Sequence, residues 1–137
     1  MEKLKSIVIV DDDSINNYIC SRLISLSGIT DNVTCFTNAR SALEYLKSSK
    51  TNSGYITPEV ILLDINMPVM SGWDFLDEFQ TLDPNIKSKI NLFMISSSVY
   101  QEDIEKSKTY KEVRDYISKP LSEAAIKKIS EILNLEV

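Results

Sequence analysis

The sequence predicts an α/β fold, a doubly wound sheet of five parallel strands with helices on both faces, and three observations carry that expectation. Short apolar runs alternate along the chain with stretches of helical period. The runs are predominantly apolar, as strands buried on both faces are. The chain has 137 residues, 43% of them hydrophobic, enough for one compact domain with a proper core. The expected unit is therefore a single domain over 1–137, with its core over about 5–134 and no output domain.

The runs Ile7 to Val10, Val33 to Phe36, Val60 to Leu63, Ile90 to Ile95 and a brief Tyr116 to Ile117 read as five strands. In the first predicted helix Ile15, Tyr18, Ile19, Leu23 and Leu26 share one face, with Ser14 placed to cap its start and Gly28 its end. Ala39, Ala42, Leu43 and Leu46 repeat the pattern after Thr37 and Asn38. Phe75, Leu76 and Phe79 do so after Gly72, and Ala125, Ile126, Ile129, Ile132 and Leu133 after Ser122. The fourth predicted helix, from Val99 to about Tyr110, has Ile104 as almost its only large aliphatic residue, so it buries little and shifts cheaply. Lys47 to Thr57 reads as a long polar loop.

Several function classes are excluded early. A net charge of −5 with no concentration of Lys or Arg argues against nucleic-acid binding. The first apolar run is too short for a signal-peptide core or a membrane span, which predicts a cytoplasmic protein with no membrane insertion. With no histidine, His-based metal sites and Ser-His-Asp triads are impossible. Cys20 and Cys35 sit in apolar patterns and read as small buried hydrophobes.

Chemistry is expected where the strands end, because ligands of such sheets bind outside the carboxyl ends of the strands. The first strand runs into Asp11, Asp12 and Asp13, the third into Asp64, the fourth into Ser96 and the fifth into Lys119. Bringing Asp11, Asp12 and Asp64 together costs about 4 kcal/mol per like-charge pair at ~4 Å and an effective dielectric of about 20. A bound Mg²⁺ removes that cost. It is a hard cation that takes carboxylate and carbonyl oxygens, and with Lys119 it balances three carboxylates. Gly72 permits a tight turn or a close backbone approach.

The segments IVIVDDD, ILLDINMPVMSG, LFMISSS and YISKP, each closing a different predicted strand, resemble the signature segments of response-regulator receivers in that family's order. The resemblance covers essentially the whole chain and implies a flavodoxin-like (βα)5 fold with strand order 2-1-3-4-5. It further implies that Asp64 takes a phosphoryl group from a sensor histidine kinase or a phosphotransfer protein. Asp12 would bind Mg²⁺, Asp11 would hold its waters, and Asn66 would offer a backbone carbonyl. Lys119 would bind a phosphoryl oxygen, and pair with Asp64 when that is unmodified; Ser96 would donate its hydroxyl to another. Ser stands where the family alternatively carries Thr, so a stiffening methyl is missing. Tyr116 matches the aromatic switch, the peptide before Pro120 is expected to be cis, and the fourth helix, fifth strand and fifth helix form the surface for a downstream target. Ile104, Tyr116 and the region of Lys127 and Lys128 are the candidate contacts.

Plainer readings stand beside these. Asp13 has no role to transfer, so capping or solvation is its expected job. Ser97 and Ser98 read as loop residues, with Ser98 a candidate for setting how fast water reaches the phosphoryl group. Trp73 and Tyr100 receive no role. A haloacid-dehalogenase-type phosphatase shares the Asp, Mg²⁺, hydroxyl and Lys, but needs an acid two residues after its nucleophile. Asn66 stands there, and the chain lacks room for a cap domain. A receiver-like scaffold that is never phosphorylated is the remaining alternative. On this reading the protein is a signalling switch that catalyses only its own phosphorylation and dephosphorylation.

Overall fold

The computed structural model describes residues 3–49, 57–97 and 100–135. Five strands, β1 (Ile7–Val10), β2 (Val33–Phe36), β3 (Val60–Asp64), β4 (Asn91–Ser96) and β5 (Val113–Ser118), form one parallel sheet in the order β2-β1-β3-β4-β5. This is the expected class and order. All five residues of central β3 are buried, which is why its run reads apolar without alternation.

Successive strand residues serve opposite faces. Ile7, Ile9, Leu62, Phe93 and Ile95 pack against α1 (Ser14–Ser27) and α6 (Glu123–Ile132). Val8, Val10, Ile61, Leu63 and Met94 pack against α2 (Ala39–Ser48), α3 (Gly72–Phe79) and a short α4 (Pro84–Lys87). The predicted inward residues of α2 and α3 are all buried. Of the predicted stripe on α6, Ile126 and Ile129 are the buried members. No helix among the described residues is long and apolar enough to cross a membrane.

Helix α1 departs from expectation. Ile15, Tyr18, Ile19 and Leu26 are 72%, 66%, 51% and 75% exposed, and the face turned inward carries Asn17, Cys20 and Ile24. Two neighbouring stripes of this helix both have helical period, and apolarity alone picked the wrong one. Asn17 is at home inside because its amide donates to the Asp11 carbonyl at 2.9 Å. The N-cap is Asp13 rather than Ser14, its carboxylate accepting from the Ile15 and Asn16 amides, while Gly28 closes the helix at φ 76° as expected.

Other differences are smaller. Lys47 and Ser48 close α2 instead of opening a loop, and the rest of the supposed loop, 50–56, lies outside the described residues, as do Ser98 and Val99. The fourth predicted helix is α5 (Gln101–Lys108), whose only buried residue is Ser107. β5 is longer than its apolar dipeptide because Arg114 and Asp115 interrupt the pattern on an edge strand that keeps one side toward water. Cys35 is exposed on edge strand β2, contrary to expectation, while Cys20 is buried.

Gly72 starts α3 against the end of β3. A Cβ there would stand 2.4 Å from the Asp64 carbonyl oxygen and 2.9 Å from the Ile65 Cα, both rigid backbone. Gly28 has open space but a left-handed φ of +76°. In denaturant titrations Gly72→Ala should therefore cost about 2–3 kcal/mol, as overpacking against backbone does. Gly28→Ala should cost about 1 kcal/mol. Equal costs would mean that the α3–β3 approach is not tight.

Candidate functional site

Parallel strands place their carboxyl ends along one edge, and the register fixes which residues meet there. Val10 pairs with Leu63, so Asp11 and Asp64 follow side by side; Asp64 pairs with Ile95, so Ser96 comes next. Ser96 pairs with Ser118, and the Lys119 amide donates to the Ser96 carbonyl at 2.9 Å. Carboxylate oxygens of Asp11, Asp12 and Asp64 lie within 4.8 Å of one another. Asp11, Asp64 and Ser96 are buried, whereas Asp12 is exposed at the mouth.

The Lys119 ammonium enters this cluster from β5. It stands 3.4 Å from Asp64 Oδ1, the expected pair, and closer still, 2.6 Å, to Asp11 Oδ2. Burial works against its charge, but the hydrogen bond to Asp11 and the charge of Asp64 prevail and hold its pKa above the ordinary lysine value. Asp64 is pushed up to about 6, by burial first and the Asp11 charge second, with Lys119 offsetting only part. One lysine does not neutralise three acids. Cys20, behind the cluster, is pushed up to about 11 by burial and by Asp11, so its thiol stays protonated and inert.

These donors fit a hard divalent cation. They are all oxygens, they converge, and the unbalanced charge that raises Asp64 is the charge such an ion removes. Around the cluster, Asn66 is exposed in the loop leaving β3. Gly72 donates its amide to the Ile65 carbonyl at 2.8 Å, and α3 then begins with a capping box between Ser71 and Asp74. The Lys119–Pro120 peptide is cis. Tyr116 is half-buried on β5 opposite Met94 and lines a groove with Ile104 and Ser107 of α5.

Two residues that sequence reasoning passed over belong to the site. The Asn16 amide donates to Asp11 Oδ2 at 2.8 Å, and Asn17 holds the Asp11 carbonyl. The signal was present as the stripe Asn17, Cys20, Ile24, hidden by its polar first member. Trp73, left without a role, stacks on Tyr110 at 5.9 Å between ring centroids, with the Lys106 ammonium 4.8 Å from its ring centroid, tying the end of α5 to α3. Lys128 is engaged with Asp115 at 2.8 Å, and Lys127 lines a separate groove between α1 and α6.

The chain matches the family model of the response regulator receiver domain over residues 7–131. It is 28% identical over 122 residues to the chemotaxis protein CheY of Thermotoga maritima, covering 89% of this chain and 91% of that one. It is also 24% identical over 133 residues, or 97% of its length, to the hybrid signal transduction histidine kinase I of Dictyostelium discoideum, of which it spans only 7%. Among solved structures, a two-component response regulator from Cytophaga hutchinsonii superposes with a TM-score of 0.86 at 28% identity, covering 97% of this chain and 99% of that one. A response regulator receiver protein from Dyadobacter fermentans gives 0.83 at 29% identity, covering 96% and 99%.

The electrostatics make a prediction for the metal-free protein. The folded pKa of Asp64 lies above its ordinary 3.8, so its ionisation opposes folding, and stability falls as pH rises from about 4 through about 6. In chelator at pH ~7, Asp64→Asn should stabilise the protein by about 1–3 kcal/mol. The gain should shrink toward pH ~4, where the wild-type carboxyl is already neutral. Calorimetric melting at both pH values checks this, and a variant no more stable at the higher pH would contradict a repulsive cluster.

Proposed function

The chain belongs to the response regulator receiver domain family, and from that membership we propose that it works as a phosphorylation-operated switch with Asp64 as the phosphoryl acceptor. The observation that carries this is the cluster itself: Asp64 is the last residue of the central strand, with Asp11, Asp12 and Lys119 around it. The donor is the phosphohistidine of a sensor histidine kinase or phosphotransfer protein. An Asp64 carboxylate oxygen attacks phosphorus as the phosphorus–nitrogen bond breaks, and the imidazole leaves.

Asp12 and Asp64 are the direct ligands for Mg²⁺ in this reading, with Asp11 holding its waters and the Asn66 carbonyl a further ligand. Bound there, the ion supplies the charge that keeps all three carboxylates ionised and shields the incoming phosphoryl oxygens. Lys119 turns from Asp11 to one phosphoryl oxygen, and the Ser96 hydroxyl donates to another. Asn66, two residues after Asp64, has no proton to give, which favours a slowly turning switch over a phosphatase.

The signal leaves through the surface of α5, β5 and α6. Tyr116 lies two residues before Ser118, the residue of β5 that pairs with Ser96, and lines the groove beside Ile104, and α5 buries too little to resist a shift. The phosphoryl group brings a charge of about −2 to the strand ends, and α5 follows. A partner protein reads the new surface.

Incubation with acetyl phosphate and Mg²⁺ should add about 80 Da by intact-mass measurement, the mass of a phosphoryl group. The adduct should be labile to hydroxylamine and absent in Asp64→Asn. Lys119→Ala should slow its formation at least about tenfold, as loss of a charge-assisted contact to the transferring group does. No adduct, together with no response to Mg²⁺ and beryllofluoride, would point to an unphosphorylated scaffold. Steady turnover of a phosphate ester would point to a phosphatase.

A further inference from the structure

Asp11 is fully buried, and every polar atom it has is engaged. Its amide donates to the Phe36 carbonyl at 3.0 Å, and its carbonyl accepts from Asn17 Nδ2 at 2.9 Å. Its Oδ1 accepts from the Asp13 amide at 2.9 Å. Its Oδ2 accepts twice, from the Lys119 ammonium at 2.6 Å and from Asn16 Nδ2 at 2.8 Å. Asn16 is itself set in place, because its backbone amide is taken by the capping carboxylate of Asp13 at 3.1 Å. Its side chain must turn nitrogen toward Asp11, since a carboxylate offers only acceptors.

We infer that Asn16 is a positioning residue of the phospho-acceptor site: its amide is the donor that keeps Asp11 oriented when Lys119 leaves it for the phosphoryl group. The inference rests on the phospho-acceptor reading of Asp64. Lys119 has one ammonium for two tasks. While it pairs with Asp11 that carboxylate has its cation, but once it turns to the phosphoryl oxygens, Asp11 Oδ2 loses its shortest contact inside a buried site. A buried carboxylate oxygen stripped of donors is expensive. Asn16 supplies the remaining donor without adding charge, so the balance of three carboxylates against one divalent ion and one ammonium is untouched. Helix α1 does not need an asparagine here. Asn is a modest helix former, and an acid in the first turn would suit the helix dipole better.

The test compares wild type, Asn16→Ala, Asn16→Asp and Asn16→Gln by calorimetric titration with Mg²⁺ alone and with beryllofluoride in the presence of Mg²⁺, with metal-free melting run alongside. Asn16→Ala should weaken beryllofluoride uptake at least about tenfold, the worth of one charge-assisted hydrogen bond. Asn16→Gln, which keeps an amide, should recover part of that. Asn16→Asp is the sharpest variant. Its metal-free stability should fall, because a carboxylate then stands where Asn16 donates to Asp11 Oδ2 at 2.8 Å, yet it should hold Mg²⁺ at least as well as wild type because a carboxylate joins the cluster. It should nevertheless take up beryllofluoride more weakly than Asn16→Ala does. Unchanged uptake in Ala and Asp variants, or losses that merely follow metal-free stability, would overturn the inference. A wild-type protein that takes up no beryllofluoride would overturn the phospho-acceptor reading, and this inference with it.

Discussion

Three carboxylates converge at the carboxyl edge of one sheet with a single lysine among them, and the rest of the structure is arranged around that imbalance. The strand register makes it unavoidable: Asp11 follows Val10, Asp64 pairs beside Ile95, and neither can turn away because both are buried in the sheet edge. Lys119 reaches both from the outer strand, yet burial and Asp11 still push Asp64 up to about 6. A site in this condition fits a hard divalent cation. The metal-free state stores repulsion that ligands relieve.

The same lysine connects charge to shape. It follows β5, whose Tyr116 lines the groove against α5, so in the proposed switch a change in what Lys119 holds acts on the strand beside that groove. Helix α5 buries only Ser107 of its own residues, but it is not loose at its far end, where Tyr110 stacks on Trp73 and Lys106 lies over the same ring. On the opposite face α1 presents Ile15, Tyr18 and Ile19 to solvent while its inward side secures Asp11 through Asn16 and Asn17.

Most of this was legible in the sequence, for definite reasons. Strands buried on both faces leave apolar runs, so β1, β3 and β4 could be read directly, the edge strand β2 showed by its mostly apolar residues, and the acids, Ser96 and Lys119 stand out because each closes such a run. Edge strand β5 was underestimated because one side faces water and carries Arg114 and Asp115. The orientation of α1 was misread because a buried asparagine, whose amide nitrogen donates to the Asp11 carbonyl, breaks the rule that apolar residues mark the inner face. Periodicity gives a helix its stripes and does not say which one meets the sheet. The preference of Lys119 for Asp11 lies in side-chain distances of under an ångström's difference, and no spacing in the sequence encodes those.

The central claim is that Lys119 is shared between Asp11 and the group that Asp64 receives. A crystal structure of the Mg²⁺ and beryllofluoride complex tests it most directly. The account predicts beryllofluoride on an Asp64 oxygen, the Lys119 ammonium moved from Asp11 Oδ2 to a fluorine, and the Asn16 amide still on Asp11. Lys119 remaining on Asp11, with beryllofluoride bound elsewhere or not at all, would contradict it.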